Sequence, residues 1–300
     1  MSDARAELTD LEHLGRVHVI GCWRVGDVVI DPGPSSCLQR LLPLLEARPP
    51  RVLALTHIHL DHAGATGSLL RRFPAAEVWV HERGAPHLRD PGRLLASAER
   101  LYGADMERMW GEVLSVPGDR IRALRGGERL ADFEVAYAPG HASHHVCYLH
   151  LPSRTAFSGD VTGVRIAAGP VLAPTPPPDI DLEAWQASLD RLSSWQPARL
   201  AITHFGAYGD VAEHVRAMRA ALERARTWAR ERGEEGFVSQ LRSAMRQGTS
   251  AADATAYEQA LPPQQSYQGL ERYLRLRTQA ASAQAASQSP TERAGEVRSR

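Results

Sequence analysis

The segment Thr56-His57-Ile58-His59-Leu60-Asp61-His62-Ala63-Gly64 packs three imidazoles and one carboxylate, all potential metal ligands, into six residues. Imidazole and carboxylate without thiolate suit zinc, with iron or manganese as alternatives. Three His and one Asp on a single loop exceed what one zinc ion usually takes from one segment, so the loop points to two ions. The apolar run Val52-Leu53-Ala54-Leu55 precedes it and reads as a buried strand. A strand is fixed by its ladder and by core packing, so a tight loop at its end can aim these side chains in set directions.

Three further candidates stand at the same kind of position. Phe133-Glu134-Val135-Ala136-Tyr137 leads through Pro139-Gly140 to His141, Thr155-Ala156-Phe157-Ser158-Gly159 leads to Asp160, and Leu200-Ala201-Ile202-Thr203 leads to His204. Four strand ends at one sheet edge would therefore present ligands. Gly140 and Gly159 fit beside them because glycine allows a sharp turn or a close backbone approach. A set this complete reads as ligands rather than as helix caps or satisfied core histidines.

Type, order and strand context of these residues resemble the metallo-β-lactamase superfamily, whose signature runs His-x-His-x-Asp-His, then a later His, an Asp and a final His. The resemblance covers roughly residues 16–210 in layout and implies an α/β protein with a four-layer αββα sandwich. Carried over by position, it implies one metal on His57, His59 and His141, a second on Asp61, His62 and His204, and Asp160 bridging the two. Two divalent ions, zinc with manganese or iron as alternatives, would share a water and supply hydroxide, while one polarises the oxygen under attack. Asp61 would also orient that water or carry its proton, which makes it the catalytic candidate.

The implied activity is a di-metal hydrolase acting on a small ester, thioester, lactone or phosphoester. Asp160 stands where zinc β-lactamases resembling this family usually have Cys. Val161-Thr162-Gly163-Val164-Arg165 departs from the aromatic, Arg-bearing loop of glyoxalase II and lacks the Tyr that lactonases of this fold often place after the bridging Asp. The alternative is an oxidoreductase of the persulfide dioxygenase type, which resembles the same fold but uses one iron on two His and one Asp.

Around this set the chain alternates strands and helices, as an α/β layered protein does. A hairpin is expected from Arg16–Ile20 and Asp27–Ile30, then a helix at 38–45, strands at 51–55 and 77–80, and a helix at 64–72. Two amphipathic helices between 93 and 113 read as an insertion in a catalytic domain spanning 1–210. Its Tyr102, Met106, Met109 and Trp110 read as a core stripe, or else as an apolar lid over the metals. A helix at 182–195 has Asp181 as its N-cap. Helices at 211–277 form a C-terminal extension, and the Ala/Ser/Gln/Arg-rich segment 278–300 is expected to be disordered because it has no apolar period.

His144 and His145 read as surface or hydrogen-bonding residues, and His81 and His87 as ordinary loop or core histidines. The Asp31-Pro32-Gly33-Pro34 turn resembles the superfamily's early Asp-x-Gly turn, whose aspartate supports the ligand loop. In 300 residues, 35 basic and 35 acidic groups cancel, which implies a small-molecule substrate rather than nucleic acid. Three scattered Cys, no basic-then-apolar N-terminus and no spanning apolar run lead to the expectation of a cytoplasmic protein without export signal or membrane anchor.

Overall fold

Short β-branched and aromatic runs separated by Gly, Pro and Asp build twelve strands, which a computed structural model describing residues 5–288 arranges in two six-stranded sheets. The first comprises β1 (Glu7–Asp10), β2 (Gly21–Val25), β3 (Val28–Ile30), β4 (Val52–Ala54), β5 (Glu77–His81) and β6 (Ile121–Leu124) in that order. Its first two junctions are antiparallel and its last three parallel. The second comprises β7 (Arg129–Leu130), β8 (Phe133–Tyr137), β9 (Val146–His150), β10 (Thr155–Phe157), β11 (Arg199–Ile202) and β12 (Gly206–Tyr208), neighbours in the reverse order. Within it only the β10–β11 pair is parallel.

Among the described residues there are ten α-helices: α1 (Leu38–Ala47), α2 (Leu60–Ala63), α3 (Thr66–Arg72), α4 (Ala85–Arg89), α5 (Gly92–Tyr102), α6 (Met106–Trp110), α7 (Leu182–Ser194), α8 (Val211–Met245), α9 (Ala251–Ala260) and α10 (Pro263–Gln288). The Asp181 carboxylate accepts the Ala184 N–H and so caps α7. None of the helices among the described residues is long and apolar enough to cross a membrane.

Side chains alternate across a strand, and here the alternation sorts residues into two cores. Ile30, Ala54, Trp79, Val135, Tyr148, Phe157 and Ala201 pack between the sheets. Their neighbours Val29, Leu53, Val78, Cys147, Ala156 and Leu200 turn to the outer faces and join the helices' apolar stripes. Leu41, Leu45 and Leu69 supply that stripe from α1 and α3, and Trp185, Leu189, Met218 and Leu222 supply it from α7 and α8. Helix, sheet, sheet and helix thus form a four-layer αββα sandwich, the architecture that the resemblance implies. Burial of a large aliphatic or aromatic side chain contributes about 1.5–3 kcal/mol, so each layer is held mainly by such contacts.

The segment after Tyr208 packs on the sandwich, with Val215, Met218, Leu222, Phe237 and Leu241 in the core that also holds the outer faces of the sheets. Two departures from the sequence reading have physical causes. The first hairpin strand is Gly21–Val25, not Arg16–Ile20, because the Asp10 carboxylate accepts the N–H groups of Glu12 and His18 and folds the intervening chain into a loop. Helix α10 continues through Thr278 to Gln288, where loss of order was expected. Ala and Gln are strong helix formers and extend a helix already nucleated by buried Leu270 and Tyr273 without needing an apolar period. The rest of that tail, 289–300, lies outside the described residues.

Candidate metal centre

The four loops follow β4, β8, β10 and β11; in the second sheet β8, β10 and β11 run in one direction, and the loop after β4 of the first sheet meets their C-terminal ends at one rim. Gly140 has φ +131°, and a Cβ there would lie 2.4 Å from the Trp185 Cα. Gly159 has φ +48°, with the Thr56 Oγ1 2.4 Å from its hypothetical Cβ. Both positions require glycine, as the sequence suggested, because packed backbone or buried side chains approach where a side chain would stand.

All seven predicted residues meet at this rim. His57 Nε2 and His141 Nε2 lie 3.0 and 3.1 Å from His59 Nδ1. Around a tetrahedral ion with bonds of about 2.0 Å, ligand atoms sit roughly 3.3 Å apart, so this triad has metal-binding dimensions. On the other side, the Asp61 Oδ2 is 3.3 Å from His204 Nε2 and 3.6 Å from His62 Nε2. Asp160 stands between them: its Oδ2 is 3.3 Å from His141 Nε2, while its Oδ1 is 3.3 Å from His62 Nε2 and 3.5 Å from His204 Nε2.

Outer hydrogen bonds fix which nitrogen faces inward. His62 Nδ1 pairs with Asp31 Oδ2 at 2.8 Å, His141 Nδ1 with the Pro174 carbonyl at 2.9 Å and His204 Nδ1 with the Val19 carbonyl at 2.6 Å. Each Nδ1–H donates outward, leaving the Nε2 lone pair inward. The Thr56 hydroxyl donates to Asp31 and can accept from His57 Nδ1, which orients that ring too. The Asp31 carboxylate also accepts the Thr56 N–H and the Thr203 hydroxyl, so one buried group ties three strand ends together.

The inward atoms fit a cation. His62 Nε2, His204 Nε2 and Asp160 Oδ1 are buried and have no hydrogen-bond partner, although such atoms are costly to leave unmade. Burial, and then the neighbouring His62 ring, hold His57 well below the usual imidazole range, and burial with His141 lowers His59 to about 4. These rings are neutral and ready to ligate. Burial also opposes charge on His62, but the Asp61, Asp160 and Asp31 carboxylates outweigh it and raise His62 well above the ordinary value. Burial disfavours the Asp61 and Asp160 charges, yet His62 and His204 hold both carboxyls below the normal carboxylate range. A divalent ion would replace the protons that this ring of groups otherwise shares.

The surrounding histidines take different places. His144 and His145 are buried rather than on the surface: His145 stacks on His57 with centroids 4.8 Å apart, and its Nε2 accepts the Asp160 N–H at 3.3 Å. His81 ends β5 and stacks on Tyr137, and His87 is half-buried on α4. The Tyr102, Met106, Met109 and Trp110 stripe is both core and lid, since it packs with Leu60 and Ala98 while Tyr102 and Trp110 also line a cavity above His59 and Asp61. Burial, and then the nearby Asp61 charge, push the Tyr102 phenol well above its ordinary value, so it remains a donor.

Sequence reasoning missed Thr56 and Thr203, whereas His145 takes the hydrogen-bonding role it was offered. The repeated Thr-His pair, Thr56-His57 and Thr203-His204, was a usable signal, because each threonine reaches the same aspartate from its strand end.

The family model of the metallo-beta-lactamase superfamily matches residues 25–204, a span that holds all seven inward-facing residues. The chain is 31% identical over 225 residues to the metallo-beta-lactamase fold-containing protein ST1585 of Sulfurisphaera tokodaii, covering 70% of this chain and 80% of that one. It is 30% identical over 143 residues to the hydroxyacylglutathione hydrolase GloC of Haemophilus influenzae and over 171 residues to a hydroxyacylglutathione hydrolase of Xylella fastidiosa. Those matches cover 44% and 56% of this chain and 59% and 50% of the relatives. The crystal structure of ST1585 superposes with a TM-score of 0.68 at 21% identity, covering 90% of this chain and 99% of that one. With the family model spanning more than half of its length, this chain belongs to the metallo-β-lactamase superfamily.

Proposed function

We propose that the protein is a di-metal hydrolase, with zinc as the first choice of metal and manganese or iron as alternatives. His57, His59 and His141 would hold one ion, Asp61, His62 and His204 the other, and Asp160 would join them. The observation that carries this reading is the placement of the Asp160 oxygens, one toward His141 and the other toward His62 and His204. Divalent ions bound there would lower the pKa of a water toward neutrality and polarise the oxygen of the bond under attack. The hydroxyacylglutathione hydrolases among the relatives support hydrolysis as the reaction class.

The chain's own residues do the rest. The Asp61 carboxylate reaches only His204 and His62 by ion pairing and opens on the cavity, where it can orient water and accept its proton. Asp31, Thr56 and Thr203 hold the ligand rings in one orientation, so little reorganisation accompanies reaction. Esters, thioesters, lactones and phosphoesters are the substrate classes this arrangement serves.

The test is elemental analysis of protein purified without added metal or chelator, paired with a hydrolysis panel. About two zinc or manganese ions per chain is expected. One iron per chain, with oxygen uptake on sulfur substrates, would replace this reading by the mononuclear-iron oxidoreductase, which the complete second ligand set disfavours.

A further inference from the structure

Above the ligand cluster lies a cavity of about 110 Å³ that opens to solvent. Its floor is His59, Asp61, His141 and Asp160, and its walls come from three separate parts of the chain. Leu94, Ala98, Leu101 and Tyr102 project from α5 with Trp110 of α6 beside them, the Pro174–Pro178 run forms a second wall, and Leu261, Pro262 and Gln265 at the α9–α10 junction form the third. The Tyr102 hydroxyl donates to Gln265 Oε1 at 3.2 Å, which joins the first wall to the third through an uncharged pair. Among the described residues lining the cavity, every group charged at neutral pH belongs to the floor.

Resting on the hydrolase reading above, we infer that the substrates carry a short, uncharged, apolar acyl group, roughly three to five carbons long, judged against the about 150 Å³ that suffices for benzene. The acyl chain lies against the aliphatic and aromatic walls, and its carbonyl reaches the floor. Ala98 is the residue that sets chain length, because it is the smallest side chain on the α5 wall and is itself 7% exposed. A carboxylate or phosphate carried into these walls loses its hydration without gaining a partner cation, whereas each methylene gains from leaving water. The reaction is hydrolysis of an oxygen ester, thioester or lactone. A bond forms from water oxygen to the acyl carbon and the acyl–oxygen or acyl–sulfur bond breaks with its electron pair on the leaving atom. That atom takes one proton from water, and the acid product sheds the other.

The experiment compares p-nitrophenyl acetate, butyrate and hemisuccinate with protein loaded with two equivalents of zinc. Butyrate and hemisuccinate differ little in size but by one charge. The expected result is a gain in kcat/KM of about fourfold per methylene from acetate to butyrate, the fold-change equivalent to about 0.8 kcal/mol. Butyrate is expected to exceed hemisuccinate by at least about 100-fold. Ala98→Phe, verified for metal content and far-UV dichroism, is expected to lower the butyrate-to-acetate ratio about tenfold or more.

Hemisuccinate turned over as well as butyrate would overturn the inference and leave the hydrolase reading intact. If the loaded protein cleaves none of the three, nor any thioester, lactone or phosphoester of the hydrolysis panel, the hydrolase reading fails, and calorimetry with butyramide and succinamate decides the cavity's preference. Butyramide binding with succinamate excluded sustains the neutral acyl site. Equal binding, or none, ends it.

Discussion

Replacing Asp31 by Asn removes one charge from the point where the ligand loops are tied, and the cost follows from the donors it faces. The carboxylate accepts four hydrogen bonds at 2.7–3.0 Å, from the Thr56 N–H, the Thr56 and Thr203 hydroxyls and His62 Nδ1. An amide offers one oxygen, so at least one donor must meet an NH2 group. Leaving one buried bond unmade costs about 1–3 kcal/mol, and three others fall from charged to neutral strength at about 1 kcal/mol each. The sum, about 4–6 kcal/mol, is a large share of the roughly 5–15 kcal/mol by which folded domains are stable. Backbone strain does not confound the comparison: Asp31 has φ 50°, and Asn tolerates the left-handed region as well as Asp. Urea unfolding of chelator-treated protein reads the stability term, and zinc competition against a chromophoric chelator reads the second effect. With His62 no longer oriented, zinc affinity is expected to drop about 10- to 100-fold. An Asp31→Asn protein within about 1 kcal/mol of the parent, and binding zinc equally well, would refute the cradle argument.

Three further outcomes are expected. Gly140→Ala should destabilise the fold by at least about 3 kcal/mol in thermal or urea unfolding, because the added Cβ meets the Trp185 backbone at a φ closed to alanine. Burial holds His214 down to about 4, with its ring against the Thr162 carbonyl and the Arg165 guanidinium. The unfolded chain binds that proton at 6.5, so stability is present above 6.5 and is lost as pH falls toward 4. Between pH 7 and 5 the parent should lose about 2 kcal/mol more than His214→Gln, and parallel losses would contradict the assignment. Finally, free zinc at about 100-fold over its Kd should add about 2.7 kcal/mol of stability per occupied site. Calorimetry with zinc and with a chelator tests this, and a coincident Tm would exclude a folded-state metal site.

The fold was legible where a segment's own chemistry decided its state. Val52–Leu55 and Leu200–Thr203 are short apolar runs that no helix of that length would bury, and Leu182–Ser194 carries both an apolar stripe and the Asp181 cap. Reading failed where a distant partner decided. Arg16–Ile20 has strand composition, but the Asp10 carboxylate claims two of the loop's N–H groups, and Gly21–Val25 takes the place between β1 and β3 instead. Glu7–Asp10 and Gly206–Tyr208 are edge strands with little apolar signal, and each is fixed by a single neighbour.

The same division runs through the site. Residues able to hold a metal come from a few types, and a strand end leaves them few directions, so His57, His59, Asp61, His62, His141, Asp160 and His204, which meet at the rim, stood out as candidates before any contact was known. The groups that orient them are chosen for one hydrogen bond each, which many residues or a bare carbonyl can supply. Pro174 and Val19 serve through main-chain oxygens, and no pattern of side chains could have revealed them. The cavity is further still from the sequence, because Tyr102 and Gln265 are separated by 163 positions and meet only after the sandwich and its C-terminal helices have closed. On the proposed hydrolase reading, reaction class is written in the candidate ligand set, whereas substrate class is written in the packing of ordinary Leu, Pro and Ala side chains. A change at Ala98 should alter which acyl group is cleaved without altering how it is cleaved, and the same ligand set would serve different substrates behind different walls.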